Sequence, residues 1–179
     1  MTLLLRFARA VDAMNDAFAW LAQWAVIASC FISAGNATVR YSLNISSNAW
    51  LEIQWYLFAA AVMLGAAQVL RLNEHVRVDV FYGRLKGRGK VFVDLFGLVF
   101  FLLPAMAALM LYALPMFLSY LHSGETSNNA GGLVRWPAVM MLPLGFGLVL
   151  LQGAAEIIKR VAWLQHRYEM DIHYERPLQ

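Results

Sequence analysis

The chain has 179 residues, of which 61% are apolar and only 14% are charged, and its mean hydropathy is +0.57. A soluble domain of this length normally has about a quarter charged residues and no uncharged apolar runs long enough to cross a bilayer, so the composition excludes a soluble globular protein. The net charge of +3 lies in loops beside apolar segments rather than on one polar face, which argues against nucleic acid as a partner.

Residues 1–16 predict a short helix at the inner membrane interface, because two arginines and two aspartates alternate with apolar residues at helical spacing. Residues 17–39 carry no charge and predict the first span, since their 23 positions reach roughly 34 Å in a helix. A secretory signal with a lipoprotein-type box at residues 27–30 is the competing interpretation. The apolar run continues well past that box and two acids precede it, so we expect the segment to remain as a span.

Three further apolar segments predict spans at about 49–70, 91–121 and 138–158. The connection at 71–90 is strongly basic, whereas the connection at 122–137 is rich in glycine and polar residues and is predicted to be a loop. The third span is longer than a straight crossing requires, and its two prolines favour a bend.

Within the basic loop, Asp79 is a candidate cap for a short surface helix at residues 80–85 that would turn its apolar side chains toward lipid. The alternation of Val76, Val78 and Val80 favours extended chain just before that cap.

Four spans place both termini and the basic loop on one side of the membrane. That side would hold 12 of the 14 Lys and Arg residues, and only Arg40 and Arg135 would lie on the other. Since cytoplasmic loops carry the excess of positive residues, we predict an all-α membrane protein with both termini in the cytoplasm. The whole chain, residues 1–179, would form a single four-helix domain.

Charged residues inside spans are costly and often mark a transport path. The acids of the predicted spans, Glu52, Asp94 and Glu156, all lie within about a turn of a helix end, and the last two have basic neighbours at helical spacing. We interpret these acids mainly as interfacial anchors. Glu52 is the best candidate for contact with another subunit, because its own helix offers it no basic partner.

Catalysis is not predicted for this chain. All four histidines lie outside the spans, so no pair is available to ligate a haem inside the bundle. The single cysteine, Cys30, excludes a disulfide framework and a paired-thiol redox site. No metal-ligand spacing, nucleophile arrangement or phosphate loop occurs, so we predict no catalytic residue, no metal and no cofactor.

Small residues recur at every fourth position of the first span, at Ala25, Ser29, Ser33 and Ala37. Such a stripe lets another helix backbone approach closely. Packing against another subunit and packing within the bundle itself are both compatible with it.

Three groups of residues follow one another along the chain, in the basic loop, in the polar loop and in the fourth span. They are Glu74-His75-Val76-Arg77-Val78-Asp79; Gly124-Glu125, Ser127, Asn129, Gly131-Gly132-Leu133 and Arg135-Trp136-Pro137; and Leu142-Pro143-Leu144-Gly145-Phe146, Leu151-Gln152 and Glu156. In their order and spacing, and within a frame of four spans, they resemble the small membrane subunit, DctQ-like, of tripartite ATP-independent periplasmic (TRAP) transporters. The resemblance covers nearly the whole chain from the second span onward.

The resemblance implies a system of three proteins in the bacterial inner membrane and periplasm. A large multi-span membrane subunit would hold the substrate and sodium sites and move by an elevator-like mechanism. A periplasmic substrate-binding protein would deliver small organic acids for sodium symport. The small subunit would be a non-catalytic scaffold and part of the docking surface for the binding protein.

By the same analogy, Glu125, Arg135 and Trp136 are expected to lie on the periplasmic docking surface. The inner-loop residues Glu74, His75, Arg77 and Asp79 are expected to contact lipid headgroups or the large subunit. Plain interfacial anchoring by Arg135 and Trp136, and a local pair of Arg77 with Asp79, are the alternatives.

Two other functions are compatible with the residues alone. A membrane anchor of a respiratory or redox enzyme would show a haem or quinone signal. A small homo-oligomeric channel would conduct ions in a way that depends on Glu52.

Overall fold

The computed structural model describes residues 2–45, 47–73, 82, 85 and 87–169. Within them, four helices are long and apolar enough to cross a membrane: α1 (Thr2–Leu43), α2 (Asn48–Leu72), α3 (Gly87–Ser123) and α4 (Trp136–Leu164). These ranges contain no strand beyond one isolated bridge between Thr126 and Val134, so the predicted all-α class with four spans is confirmed. The inner-loop residues Glu74, His75, Arg77 and Asp79, and most of the predicted surface helix at 80–85, lie outside the described residues.

Helix α1 runs without a break for 42 residues, so the prediction of a separate interfacial helix at 1–16 is wrong. Its first turns pack on the last part of α4, where Ala8 and Val11 are buried against Ala155 and Ile158. No glycine or proline occurs before Gly35 to interrupt it. At 1.5 Å per residue the helix is about 63 Å long, roughly twice the hydrocarbon thickness, so one end extends well beyond the bilayer core.

Helix α3 contains one π-helical turn at Leu98–Leu102, where the N–H of Leu103 bonds to the carbonyl of Leu98. Pro104 follows directly and cannot donate the next regular helical bond, which favours an irregular turn at this point. Helix α4 approaches the same turn closely, because a β-carbon at Gly153 would lie only 3.0 Å from the side chains of Leu102 and Leu103.

Helix α4 is the central element and contacts the other three helices. The main core joins one face of every helix, with Ala22 from α1, Leu64 and Ala67 from α2, Leu98 from α3 and Leu148 from α4. Helix α3 leaves its aromatic face uncovered, as Phe92, Phe96, Phe100 and Phe101 are all more than half exposed. A bilayer or another membrane subunit is the environment that suits such a face.

Candidate functional site

Polar side chains of the described residues gather at both ends of the helix bundle. Since the helices alternate in direction, the start of α1 and the end of α4 meet at one end, which we call the terminal end. The terminal cluster is defined by Asp12, Asn15, Asp16, Gln68, Arg71, Asp94, Gln152, Glu156, Lys159 and Arg160.

Glu156 lies at the centre of the terminal cluster and is 4% exposed. Its carboxylate pairs with Lys159 and Arg160, which follow it on the same face of α4. The Lys159 ammonium also lies 3.0 Å from Asp12 Oδ1 on α1, and Arg160 Nη2 lies 3.3 Å from Asp94 Oδ2 on α3. Alternating charges therefore join three helices through one buried carboxylate.

Two amides complete the interior of this cluster. Asn15 and Gln152 are fully buried, and the Asn15 Nδ2 group donates to Gln152 Oε1 at 2.7 Å. The Gln152 Nε2 group donates in turn to Asp12 Oδ1 at 2.9 Å and to Glu156 Oε1 at 3.0 Å. These hydrogen bonds align α1 and α4 by specific polar contacts, while Asn15 Oδ1 has no hydrogen-bond partner among the described residues.

Helix α2 joins the cluster through Arg71. Its Nη1 group donates to Asp16 Oδ2 at 2.8 Å, and Gln68 Nε2 donates to Asp16 Oδ1 at 3.1 Å. Every helix of the bundle therefore contributes at least one charged group to the terminal cluster.

The basic neighbours that the sequence assigned to Glu156 are confirmed as its partners. Its interpretation as an anchor that reaches the headgroups is wrong, because the carboxylate is enclosed by α1 and α4. Asp94 is likewise paired with a residue of another helix, Arg160. Sequence reasoning missed Asp12, Asn15 and Gln152. The available signal was polar residues spaced three and four apart on one face of an otherwise apolar helix.

The opposite end of the bundle is organised around Glu52, which is 3% exposed. Its Oε1 atom accepts a hydrogen bond from Asn129 Nδ2 at 2.8 Å, and its Oε2 atom accepts one from the N–H of Leu133 at 2.7 Å. The Tyr56 hydroxyl donates to the carbonyl of Val134 at 2.8 Å. The loop between α3 and α4, residues 124–135, is therefore folded over the first turns of α2; we call it the outer loop after its predicted periplasmic side. Contact of Glu52 with another subunit stays a prediction.

The expected docking residues Glu125 and Arg135 meet within this outer loop. Arg135 Nη1 lies 2.9 Å from Glu125 Oε1, and its N–H donates to the carbonyl of Glu125 at 3.0 Å. Trp136 follows as the first residue of α4 and is half-buried. Gly132 is required where the loop crosses α2, because a β-carbon there would lie 2.6 Å from Ser127 Cβ and 3.1 Å from Glu52 Oε1.

A cleft of about 260 Å³ lies between the outer loop and the first turns of α2. Its walls combine amide, hydroxyl, charged and aromatic groups, from Glu52, Trp55, Tyr56, Ser127, Asn128, Asn129 and Arg135. The indole of Trp55 is 65% exposed beside it. Mixed polar and aromatic walls of this kind suit a protruding side chain of a protein partner.

The small-residue stripe of α1 divides along its length. Ala25 is buried inside the bundle and Ser29 is half-buried, whereas Ser33 and Ala37 are exposed. The first half of the stripe therefore packs within this chain. Packing of the second half against another subunit remains a prediction.

Replacing Glu52 by alanine is expected to loosen the outer loop, because the N–H of Leu133 loses its acceptor. Because this hydrogen bond is lost, the amide hydrogen of Leu133 is expected to exchange about tenfold faster than in the unmodified chain. Hydrogen exchange measured by mass spectrometry on peptides of the outer loop provides the test. Glu125→Ala is the matched control, since the exposed pair that it removes contributes little. Equal exchange rates in the two variants would contradict this role of Glu52.

Among the residues that the structure describes, no group of three or more His, Cys, Asp or Glu side chains is arranged to hold a metal ion.

The family model of the tripartite ATP-independent periplasmic transporters, DctQ component, matches residues 29–162. Searches of curated proteins and of solved structures found no significant match. The matched range includes α2, α3, most of α4 and the outer loop. It begins within α1, after the residues that α1 contributes to the terminal cluster.

Proposed function

Because the chain belongs to the DctQ component family of tripartite ATP-independent periplasmic transporters, we propose that it is the fixed, non-catalytic scaffold of a transporter whose large subunit moves the solute. The chain is the small membrane subunit of such a transporter and is a multi-pass protein of the inner membrane. Uptake of small organic acids, driven by a sodium gradient, is the activity that we assign to the complete system.

One observation supports the scaffold proposal: in the described helices, charged groups are confined to the two ends of the bundle. Glu52 and Arg71 lie 19 residues apart on α2, so the two polar layers are separated by about 28 Å, close to the hydrocarbon thickness. The spans carry no charge between these layers. A solute carrier needs polar groups at mid-membrane depth. In this chain the charged groups of the terminal cluster lie near one end of the bundle and pair with one another.

The outer loop is the proposed docking surface for the periplasmic substrate-binding protein. Glu125, Arg135 and Trp136 form it together with the adjoining cleft. The rigidity of the loop supports this proposal. The hydrogen bonds that Glu52 accepts hold the loop in place before any partner binds, so less conformational entropy is lost on docking.

The proposed contact with the large membrane subunit uses exposed faces of the spans, including Ser33 and Ala37 of α1. These small side chains are exposed, which allows close approach of another helix. The inner-loop residues, Glu74, His75, Arg77 and Asp79, are proposed to contact lipid headgroups or the large subunit.

Reconstitution into liposomes tests the scaffold proposal. The chain alone is expected to accumulate none of a panel of radiolabelled organic acids under an inward sodium gradient. Addition of the large subunit and the binding protein of its system is expected to produce uptake that depends on all three proteins. Uptake by the chain alone, or full activity without it, would refute the proposal.

Replacing Arg135 and Trp136 together by alanine is expected to raise the binding-protein concentration needed for half-maximal uptake by about tenfold. Arginine and tryptophan are the residues whose truncation most often weakens interfaces to this extent. The measurement is the rate of uptake against binding-protein concentration. Arg40→Ala removes one exposed arginine from the same predicted side of the membrane and serves as the control. An unchanged concentration dependence in the double variant would exclude these residues from docking.

A further inference from the structure

Two basic side chains, one from α3 and one from the segment after α4, meet beyond the terminal cluster. Arg88 lies in the first turn of α3, and its Nη2 atom is 3.1 Å from Nε2 of His166, which lies two residues after the end of α4. A guanidinium has no acceptor, so the imidazole accepts through Nε2 and carries its proton on Nδ1. Both side chains are exposed, and Arg167 places a second exposed arginine next to His166.

Among the described residues, Arg88 and Arg167 differ from the arginines of the terminal cluster, because no carboxylate pairs with them. Arg71 and Arg160 are each paired with at least one carboxylate. In the described part of the chain, neither Arg88 nor Arg167 forms an ion pair. Within the part of the chain that the structure describes, this positive charge is therefore not neutralised by an ion pair, which favours an anion as its partner.

The backbone holds this site in one geometry. The indole of Trp163 packs against the start of α3, 3.9 Å from where a β-carbon of Gly87 would lie. His166 adopts the left-handed conformation, with φ of 56°, and its N–H donates to the carbonyl of Trp163 at 2.9 Å. The N–H of Arg167 donates to the carbonyl of Ala162 at 3.0 Å. The two basic residues after α4 are thus positioned by a bonded helix end rather than by a free tail.

The site lies at the depth of lipid headgroups. Arg88 precedes Asp94 by six residues, so it lies about 9 Å farther out along α3 than the terminal cluster. The cluster itself lies about 28 Å from Glu52, near the edge of the hydrocarbon layer. The distribution of Lys and Arg predicts that this end faces the cytoplasm, where anionic lipids give the membrane surface a negative potential. An indole beside the site is typical of that interface.

We propose that Arg88 and Arg167 bind the phosphate of an anionic phospholipid headgroup, and that His166 positions the Arg88 guanidinium for this contact. The N–H groups of Arg88 that do not contact His166 can donate to two phosphate oxygens, as a planar guanidinium does, while the hydrogen bond to His166 Nε2 positions that guanidinium. Arg167 supplies the second positive charge. Such a bound lipid would join the start of α3 to the end of α4 on the cytoplasmic side.

Native mass spectrometry of the full chain, released from detergent with added phosphatidylglycerol or phosphatidylcholine, tests this proposal. The unmodified chain is expected to retain phosphatidylglycerol preferentially. Each lost arginine charge is expected to weaken that retention about fivefold, so Arg88→Gln with Arg167→Gln should weaken it about 25-fold. Arg40→Gln, an exposed arginine at the opposite end, is expected to leave retention unchanged.

His166→Asn is the second variant, because asparagine tolerates the left-handed backbone and removes the imidazole. It is expected to lower phosphatidylglycerol retention while keeping the unfolding midpoint of the unmodified chain. Equal retention by the Arg88→Gln, Arg167→Gln variant and by Arg40→Gln would overturn the proposal. Inorganic phosphate bound by the lipid-free chain as tightly as the lipid would also overturn it, since the ligand would then be soluble phosphate. None of these readouts requires the other transporter subunits, so they can fail independently of the proposed function.

Discussion

Replacing Arg160 by alanine is expected to lower the free energy of unfolding by about 3–5 kcal/mol, the cost of breaking a buried ion pair from one side. Arg160 is 7% exposed and lies between the carboxylates of Asp94 and Glu156. Its removal leaves the negative charges of both carboxylates less neutralised, and the Glu156 carboxylate cannot be solvated by water because Glu156 is only 4% exposed. Most of the cost therefore comes from desolvated charge left behind rather than from lost contact area.

The measurement is reversible unfolding in mixed detergent micelles, followed by circular dichroism. Arg6→Ala is the control, since Arg6 is an exposed arginine near the same end of the bundle. The control is expected to change stability by no more than about 0.5 kcal/mol, as is usual for exposed positions. If the two variants unfold alike, the terminal cluster does not stabilise the bundle.

Replacing Gly145 by alanine is expected to destabilise the bundle by about 3 kcal/mol, at the upper end of the usual cost of overpacking. A β-carbon at this position would lie 2.7 Å from Met63 Cβ and 2.8 Å from the Met63 carbonyl oxygen. A side chain could rotate away, but a backbone carbonyl cannot, so α2 and α4 would have to separate. The gain in helix propensity from glycine to alanine, about 1 kcal/mol, is too small to offset this.

Gly147→Ala is a matched control on the same helix, two residues further along. The nearest atoms to its new β-carbon are the flexible end of Met110, at 3.7 Å, which is ordinary contact. We expect this variant to be as stable as the unmodified chain or slightly more stable, because the propensity term acts alone. A loss of stability in Gly147→Ala equal to that in Gly145→Ala would show that the close approach of α2 and α4 is not what matters.

The four spans could be predicted from sequence because lipid solvation requires long uncharged runs, and such runs are visible without any knowledge of packing. The same reasoning misjudged residues 1–16. Their two arginines and two aspartates were interpreted as groups for water or headgroups, whereas Asp12 and Asp16 pair with Lys159 and Arg71. A charged residue near a span can contact water and headgroups or can pair with a charge on another helix. Local spacing does not distinguish these cases, because it does not reveal the partner on the other helix.

The role of Glu52 illustrates the same limit at the other end. The lack of a basic neighbour on α2 singled it out as a residue of interest, but its burial was not predicted, since its place near a helix end suggested an anchor that reaches the headgroups. That its carboxylate would accept the N–H of Leu133 depends on how the outer loop folds back, 81 residues later in the chain. Gly132, which allows that crossing, has no local signature that separates it from Gly131 beside it.

The sequence by itself determined that this chain crosses the membrane four times and carries no charge through the middle of the bilayer, since both properties follow from one-dimensional runs of apolar residues. Only the tertiary structure decided which charged groups neutralise one another and which, such as Arg88 and Arg167, form no ion pair among the described residues. The physical reason is that the free energy of a buried charge depends on the position of its counter-charge, and helix packing brings those groups together from distant parts of the chain.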